Sequence, residues 1–115
     1  MKYTGSCHCK KVQFEVEMEL KSAISCNCSI CQKRGSFLAF VPEEQFTLLS
    51  GEENLTDYQF NKYIIHHTFC SICGILPFAG GVGPDGIQTR AINIRCLDGV
   101  DLESLPITKY DGRNR

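Results

Sequence analysis

The 115-residue sequence predicts an all-β domain of short, mostly antiparallel strands, and three observations predict it. Residues 12–20 (Val-Gln-Phe-Glu-Val-Glu-Met-Glu-Leu) alternate apolar and polar side chains without a break, the period-two pattern of a strand with one buried face. Aromatic and β-branched residues crowd the stretches 55–60 and 63–69. Seven of the eight cysteines fall into three close groups that suit tight, metal-stapled turns.

Beyond the strand at 12–20, Lys21 and Ser22 turn the chain and Ala23 to Ser25 predict a short strand. The cysteine-rich loop that follows suits a single helical turn, with Ser29 as its N-cap, Lys33 and Arg34 near its end, and Gly35 stopping it. Ser36 to Val41 reads as a more fully buried strand ended by Pro42, Glu43 to Phe46 as a turn, and Thr47 to Leu49 as another strand. Ser50-Gly51 has the form of a hairpin turn, and 55–60 and 63–69 form an antiparallel pair around Asn61-Lys62. Ile75 to Ala79 extends the sheet, whereas four glycines in residues 80–86 predict an irregular loop, and without a lysine or following helix it is no phosphate loop. Strands at Ile87 to Cys96 and Ile107 to Tyr110, with a turn at Leu97 to Asp101 between them, complete the reading before a polar tail.

The length fits one domain, residues 1–115, and can bury a core without crosslinks to rescue it. A net charge of -1 provides no basic excess for tracking nucleic acid, so nucleic-acid binding is not expected. Residues 1–6 carry no apolar leader and no run approaches the roughly 20 apolar residues of a membrane span, which places the protein in the cytoplasm and away from membranes. In a reducing compartment close cysteine pairs serve metal better than disulfides, because a crosslink across one or two residues removes little chain entropy and strains its own geometry.

The groups are Cys7 and Cys9; Cys26, Cys28 and Cys31; and Cys70 and Cys73, with Cys96 apart. Seven ligands divide most naturally as four plus three. Cys70-Ser71-Ile72-Cys73-Gly74 has the form of a zinc knuckle, and Cys7 with Cys9 supplies the second pair that closes a tetrahedral, four-thiolate structural site. The triad is then left with an open fourth position, the arrangement of a catalytic zinc. Cys96, His66 or His67 could instead fill that position and make a second structural site, although only one of two adjacent strand histidines faces inward. Lys33 and Arg34 stand where they could attract an anionic ligand, or could simply form a solvated turn. His8 is expected to be exposed and Cys96 to be a buried apolar thiol.

Gly5-Ser6-Cys7-His8-Cys9, Val12-Gln13-Phe14, Cys26-Asn27-Cys28-Ser29-Ile30-Cys31 with Gly35, Phe69-Cys70-Ser71-Ile72-Cys73-Gly74, Cys96-Leu97-Asp98-Gly99 and Tyr110-Asp111-Gly112-Arg113 together resemble the glutathione-dependent formaldehyde-activating enzyme family, which includes centromere protein V. The resemblance spans nearly the whole chain. It implies an Mss4-like fold of several coiled antiparallel sheets, a structural zinc on Cys7, Cys9, Cys70 and Cys73, and a catalytic zinc on Cys26, Cys28 and Cys31. It also implies glutathione as thiol substrate and a carbon-sulfur lyase reaction with formaldehyde that gives S-hydroxymethylglutathione. Three positions depart from the family pattern: Lys10 replaces a glycine, Ile75 a small hydroxyl residue and Asn114 an aromatic one.

The expected function is therefore a zinc-dependent carbon-sulfur lyase acting on a thiol adduct of a small aldehyde, with Lys33 or Arg34 holding a substrate carboxylate. The alternative is a non-catalytic, zinc-stabilised protein-binding module with four protein ligands at both metals. A third reading, redox chemistry, makes Cys96 the reactive thiol. An open three-thiolate site is also liable to lose its ion and to oxidise to a Cys-Cys bond within the triad.

Overall fold

The computed structural model describes residues 1–60, 62–83 and 85–114. Asn61 of the expected Asn61-Lys62 turn and Pro84 of the expected glycine-rich loop lie outside the described residues. The strands are β1 (Lys2–Ser6), β2 (Gln13–Glu17), β3 (Ala23–Cys26), β4 (Leu38–Pro42), β5 (Phe46–Ser50), β6 (Leu55–Tyr58), β7 (His66–Cys70), β8 (Phe78–Val82), β9 (Gln88–Asn93) and β10 (Ile107–Tyr110), and the helix α1 is Ser29–Arg34. The architecture is mostly β with little helix, as the sequence predicts.

Two sheets share the strands: a small antiparallel one in the order β1-β2-β5 and a large one in the order β10-β3-β4-β9-β8-β7-β6. Every pairing in the large sheet is antiparallel except β10 with β3, which is parallel and sets Tyr110 opposite Cys26. Alternation dictates the burial of β2. Val12, Phe14, Val16 and Met18 are buried while Gln13 and Glu17 are exposed. Phe14 stacks on Phe46 at 5.5 Å between ring centroids and meets Phe78 edge-on at 6.1 Å, and Phe46 lies 4.5 Å from Phe78. Phe14 and Phe46 belong to the small sheet and Phe78 to the large one, so three rings fasten the two layers together.

Five local expectations are corrected. Ser50-Gly51 does not close a hairpin, because β5 and β6 belong to different sheets. Gly51 has φ +89° and a Cβ there would sit 2.3 Å from the Lys11 carbonyl oxygen, so the position demands glycine for a crossing rather than a reversal. Gly80 and Gly81 are part of β8 instead of a loop, since a Cβ on Gly80 would meet the Arg90 guanidinium at 2.4 Å and glycine admits that side chain against the strand. The helical turn is capped by Cys28, with Ser29 as its first, exposed residue. The strand expected to reach Cys96 ends at Asn93, whose side-chain oxygen accepts from the Arg95 N–H and winds Ile94–Cys96 into a 3-10 turn. Finally, β1 was not expected; it pairs with β2 along its whole length from Lys2 opposite Glu17 to Ser6 opposite Gln13.

Because Phe14 is fully buried at the joint between the sheets, Phe14→Ala is expected to cost about 3–5 kcal/mol. Thr47→Ala on the exposed side of β5 is expected to stay within about 0.5 kcal/mol. Urea unfolding monitored by circular dichroism measures both.

Candidate metal centres

Cys7 and Cys9 occupy a tight turn after β1, in which the Cys7 N–H donates to the Val12 oxygen at 3.1 Å and the Lys10 N–H to the Cys7 oxygen at 3.2 Å. Cys70 ends β7 and begins a second tight turn. There the Gly74 N–H donates to the Cys70 oxygen at 2.8 Å, and Gly74 takes φ +81°. The two turns bring all four sulfurs within 4.8 Å of one another. Cys7 Sγ lies 3.6 Å from Cys9 Sγ, and Cys9 Sγ lies 3.7 Å from Cys70 Sγ. These separations are far too long for disulfides, at about 2 Å. They match the edge of about 3.8 Å expected for a tetrahedron with metal-sulfur bonds near 2.3 Å. The donor set and its spacing therefore fit a closed tetrahedral metal site.

The four thiols differ: the Lys11 N–H lowers Cys9, but burial and the thiols of Cys7, Cys70 and Cys73 outweigh it and push Cys9 up to about 11, whereas Cys73 is held down. Burial raises the Cys73 thiol, but the N–H groups of Cys9 and Ile75 and the thiols of Cys7 and Cys70 outweigh it, holding Cys73 down at about 6. The Val12 N–H donates to Cys7 Sγ at 3.4 Å. Lys10 adopts φ +66°, the left-handed region that favours glycine, so a lysine there carries backbone strain.

The second cluster is built from different elements. Cys26 ends β3, Cys28 caps α1 and Cys31 lies within it, and the three sulfurs again fall within 4.8 Å of one another. The Cys28 N–H donates to Cys26 Sγ at 3.4 Å. Burial raises the Cys28 thiol, but the Cys31 N–H, the thiols of Cys31 and Cys26 and the Ile30 N–H together leave it below its ordinary value. Cys31, more deeply buried and facing Cys28, is pushed up to about 12. A cation bound among the three sulfurs would favour their deprotonated forms.

No fourth cysteine, histidine or carboxylate joins this cluster among the described residues. Cys96 lies on the other side, with its Sγ 3.8 Å from the Leu76 oxygen and near enough to Cys7 and Cys73 for those sulfurs to add to the upward push on its thiol. It is half-buried, and burial pushes its thiol up to about 11. His66 is exposed and bonded to Asp57 at 2.5 Å. His67 is the inward histidine, 7% exposed, and it accepts from the Arg34 guanidinium at Nδ1, 3.4 Å away, which leaves its ring proton on Nε2. Burial, then the Arg34 charge, keeps His67 below its ordinary value. His8, as expected, is exposed.

The triad opens on a cavity of about 730 Å³, within the usual range for ligand sites. Lys33, Arg34 and Arg113 line it, and no acidic residue does among the described residues. Arg34 is half-buried; burial pulls its guanidinium down from the ordinary value, partly offset by Cys31 and Cys28. A larger hollow of about 820 Å³ lies beyond Arg34 and His67, against Cys7 and Cys96, where the four-sulfur cluster leaves no open donor set.

The carboxyl-terminal segment completes the wall. The Asn27 N–H donates to the Tyr110 oxygen at 3.1 Å, its amide donates to Asp111 Oδ1 at 2.9 Å, and its Oδ1 accepts from the Arg113 N–H at 2.9 Å. The Arg113 guanidinium donates to Gln32. Gly112 passes so close that a Cβ would lie 2.6 Å from Cys26 Sγ. Asn114, where the family pattern has an aromatic residue, donates to Asp111 Oδ2 at 2.7 Å. Reading the sequence for ligand spacing alone misses Asn27, Gly112 and Arg113 as builders of the site; the only available signal was their place in the Cys26–Cys31 and Tyr110–Arg113 motifs.

A small β protein with one closed four-cysteine cluster and one three-cysteine cluster facing a cationic cavity is a protein able to hold metal ions at two sites of unequal character. The chain belongs to the glutathione-dependent formaldehyde-activating enzyme family, whose model matches residues 2–104. It is also similar to a crystal structure of a Rhodobacter sphaeroides protein, at 33% identity over 91% of this chain and 99% of that one, with a TM-score of 0.79.

The two clusters should respond differently to loss of a ligand. Cys28→Ser is expected to bind one fewer metal ion per chain with an unchanged far-ultraviolet spectrum. Cys70→Ser is expected to lose cooperative unfolding altogether. Metal analysis with circular dichroism reads both. Lys10→Gly is expected to stabilise the metal-loaded protein by about 1 kcal/mol by removing the positive-φ strain, seen as a raised thermal midpoint.

Proposed function

We propose that residues 1–115 work as a single cytoplasmic zinc-binding domain with the activity of a carbon-sulfur lyase. It would act on a thiol adduct of a small aldehyde, with glutathione and formaldehyde, or a related substrate, as reactants. Cys7, Cys9, Cys70 and Cys73 would hold a structural zinc, and Cys26, Cys28 and Cys31 a catalytic one. One observation carries this reading: a three-thiol cluster without a fourth protein ligand among the described residues faces a cavity whose charged lining residues are all cationic. Membership of the family supports glutathione as the thiol partner.

When bound at the triad, zinc would supply a Lewis acid that favours the ionised form of a substrate thiol. The chain's own residues would do the remaining work. Arg34, held half-buried beside His67, offers a fixed guanidinium to a carboxylate, and Lys33 a second cation at the rim. Both would draw in glutathione, whose two carboxylates complement them. Gly112 and Asn27 hold the Cys26 wall so that the adduct is confined on one side. In the reaction the thiol sulfur forms a bond to the carbonyl carbon, the carbonyl π pair moves to oxygen, and the proton lost by the thiol ends on that oxygen. No electrons are exchanged with a further reagent.

The alternative of a non-catalytic module with two closed metal sites requires a fourth protein ligand at the triad, and none stands there among the described residues. Redox chemistry at Cys96 requires an accessible thiolate, whereas burial pushes that thiol up to about 11.

Exchange spectroscopy on glutathione and formaldehyde tests the proposal. The zinc-loaded protein is expected to accelerate formation and breakdown of S-hydroxymethylglutathione, and Arg34→Gln to lower kcat/KM at least about tenfold at unchanged metal content. Zinc-loaded protein that neither binds glutathione nor changes the exchange rate would overturn it.

A further inference from the structure

The cavity at the triad has two ends of opposite chemistry. Toward α1 and the carboxyl terminus lie Lys33, Arg34 and Arg113; toward the large sheet lie Leu38, Phe40, Ile65, Ala79 and Ala91. The apolar end follows from strand register. Phe40 on β4 pairs with Ala91 on β9, Ala91 with Ala79 on β8, and Ala79 with His67 on β7, so one row of side chains crosses four strands on a single face. Two alanines between a phenylalanine and a histidine leave a furrow in that row. Beyond it the furrow runs into a second hollow of about 490 Å³ that shares Phe40, Ile65, Ala79, Ala91 and Tyr110 with the first and continues over Gly80, Gly81 and Val82. Asp85 and Thr89 line its far end, and the rest of its wall exposes large apolar side chains to water: Phe40 is 54% exposed, Ile65 51%, Val82 45% and Tyr110 43%.

The one carbon contributed by formaldehyde would cover almost none of this surface. Resting on the proposed function above, we infer that the site's substrate is the thiol adduct of an aldehyde bearing an apolar chain of several carbons, with that chain lying in the furrow over Ala91 and Ala79 between Phe40 and Ile65. The anionic thiol carrier occupies the cationic end, its sulfur stands at the triad, and the chain extends away along the sheet. The covalent step is the one already described, with a hydrogen of formaldehyde replaced by an alkyl group: sulfur bonds to the carbonyl carbon and the thiol proton passes to the carbonyl oxygen. Continuity with the triad cavity and the separation of charge from apolar surface suit a small conjugate with an anionic head and an apolar tail.

Calorimetric titration of the protein with its metal bound, using glutathione and then S-methyl-, S-butyl- and S-hexylglutathione, tests the inference without relying on turnover. Affinity is expected to rise roughly threefold per methylene from methyl to hexyl, or about two-hundredfold over the five added methylenes. Phe40→Ser and Ile65→Ser alter half-exposed positions that carry little of the core. Each is expected to weaken the hexyl ligand at least fivefold more than the methyl ligand. Glutathione binding with no dependence on chain length would overturn the inference and leave the proposed function standing. Failure of glutathione and of every conjugate to bind would overturn both.

Discussion

The rest of the molecule depends on the four sulfurs of Cys7, Cys9, Cys70 and Cys73 meeting in one place. They come from turns at the ends of β1 and β7, with Cys9 and Cys70 separated by 61 residues, and so the cluster ties the small sheet to the large one across half the chain. Loop closure over such a length is entropically costly, and a metal bound by the four sulfurs would offset that cost more directly than the short strands could. The Phe14, Phe46 and Phe78 rings pack in the same core as Cys7 and Cys70, so aromatic packing and the meeting of the sulfurs fix the same joint.

Satisfying those four ligands among themselves is what isolates the triad. Cys26, Cys28 and Cys31 are held from beneath by β3 and the first turn of α1, and from above by the segment 110–113 clipped to Asn27. Cys96, the eighth cysteine, is placed beside the closed cluster and away from the triad. Chain geometry thus gives two clusters of the same chemistry opposite characters, one enclosed by its own ligands and one facing a cavity with cations on one flank and apolar strands on the other.

The grouping of the cysteines and the β class were legible because each rests on local spacing: a knuckle with its glycine, a pair across one residue, and strict alternation from Val12 to Met18. Long-range consequences were not. Whether Gly51 turns back or crosses to another sheet depends on how closely it approaches the Lys11 carbonyl oxygen, a contact far apart in sequence. Gly80 was misread because a glycine beside a partner strand's arginine looks, in one dimension, like a glycine in a loop. Lys10 was visible as a departure from the family pattern, but only its φ of +66° gives that departure a physical meaning. The apolar furrow escaped the sequence for the same reason: Phe40, Ala79 and Ala91 lie in three separate strands, and register alone aligns them.

The central claim is that the triad is an open site whose fourth ligand is the substrate sulfur. X-ray absorption at the zinc edge, on protein carrying two zinc ions, tests it most directly. One site should show four sulfurs and the other three sulfurs with one lighter atom, and addition of glutathione should replace that lighter atom with a sulfur. A spectrum already fully sulfur-ligated, or one unchanged by saturating glutathione, would contradict the account.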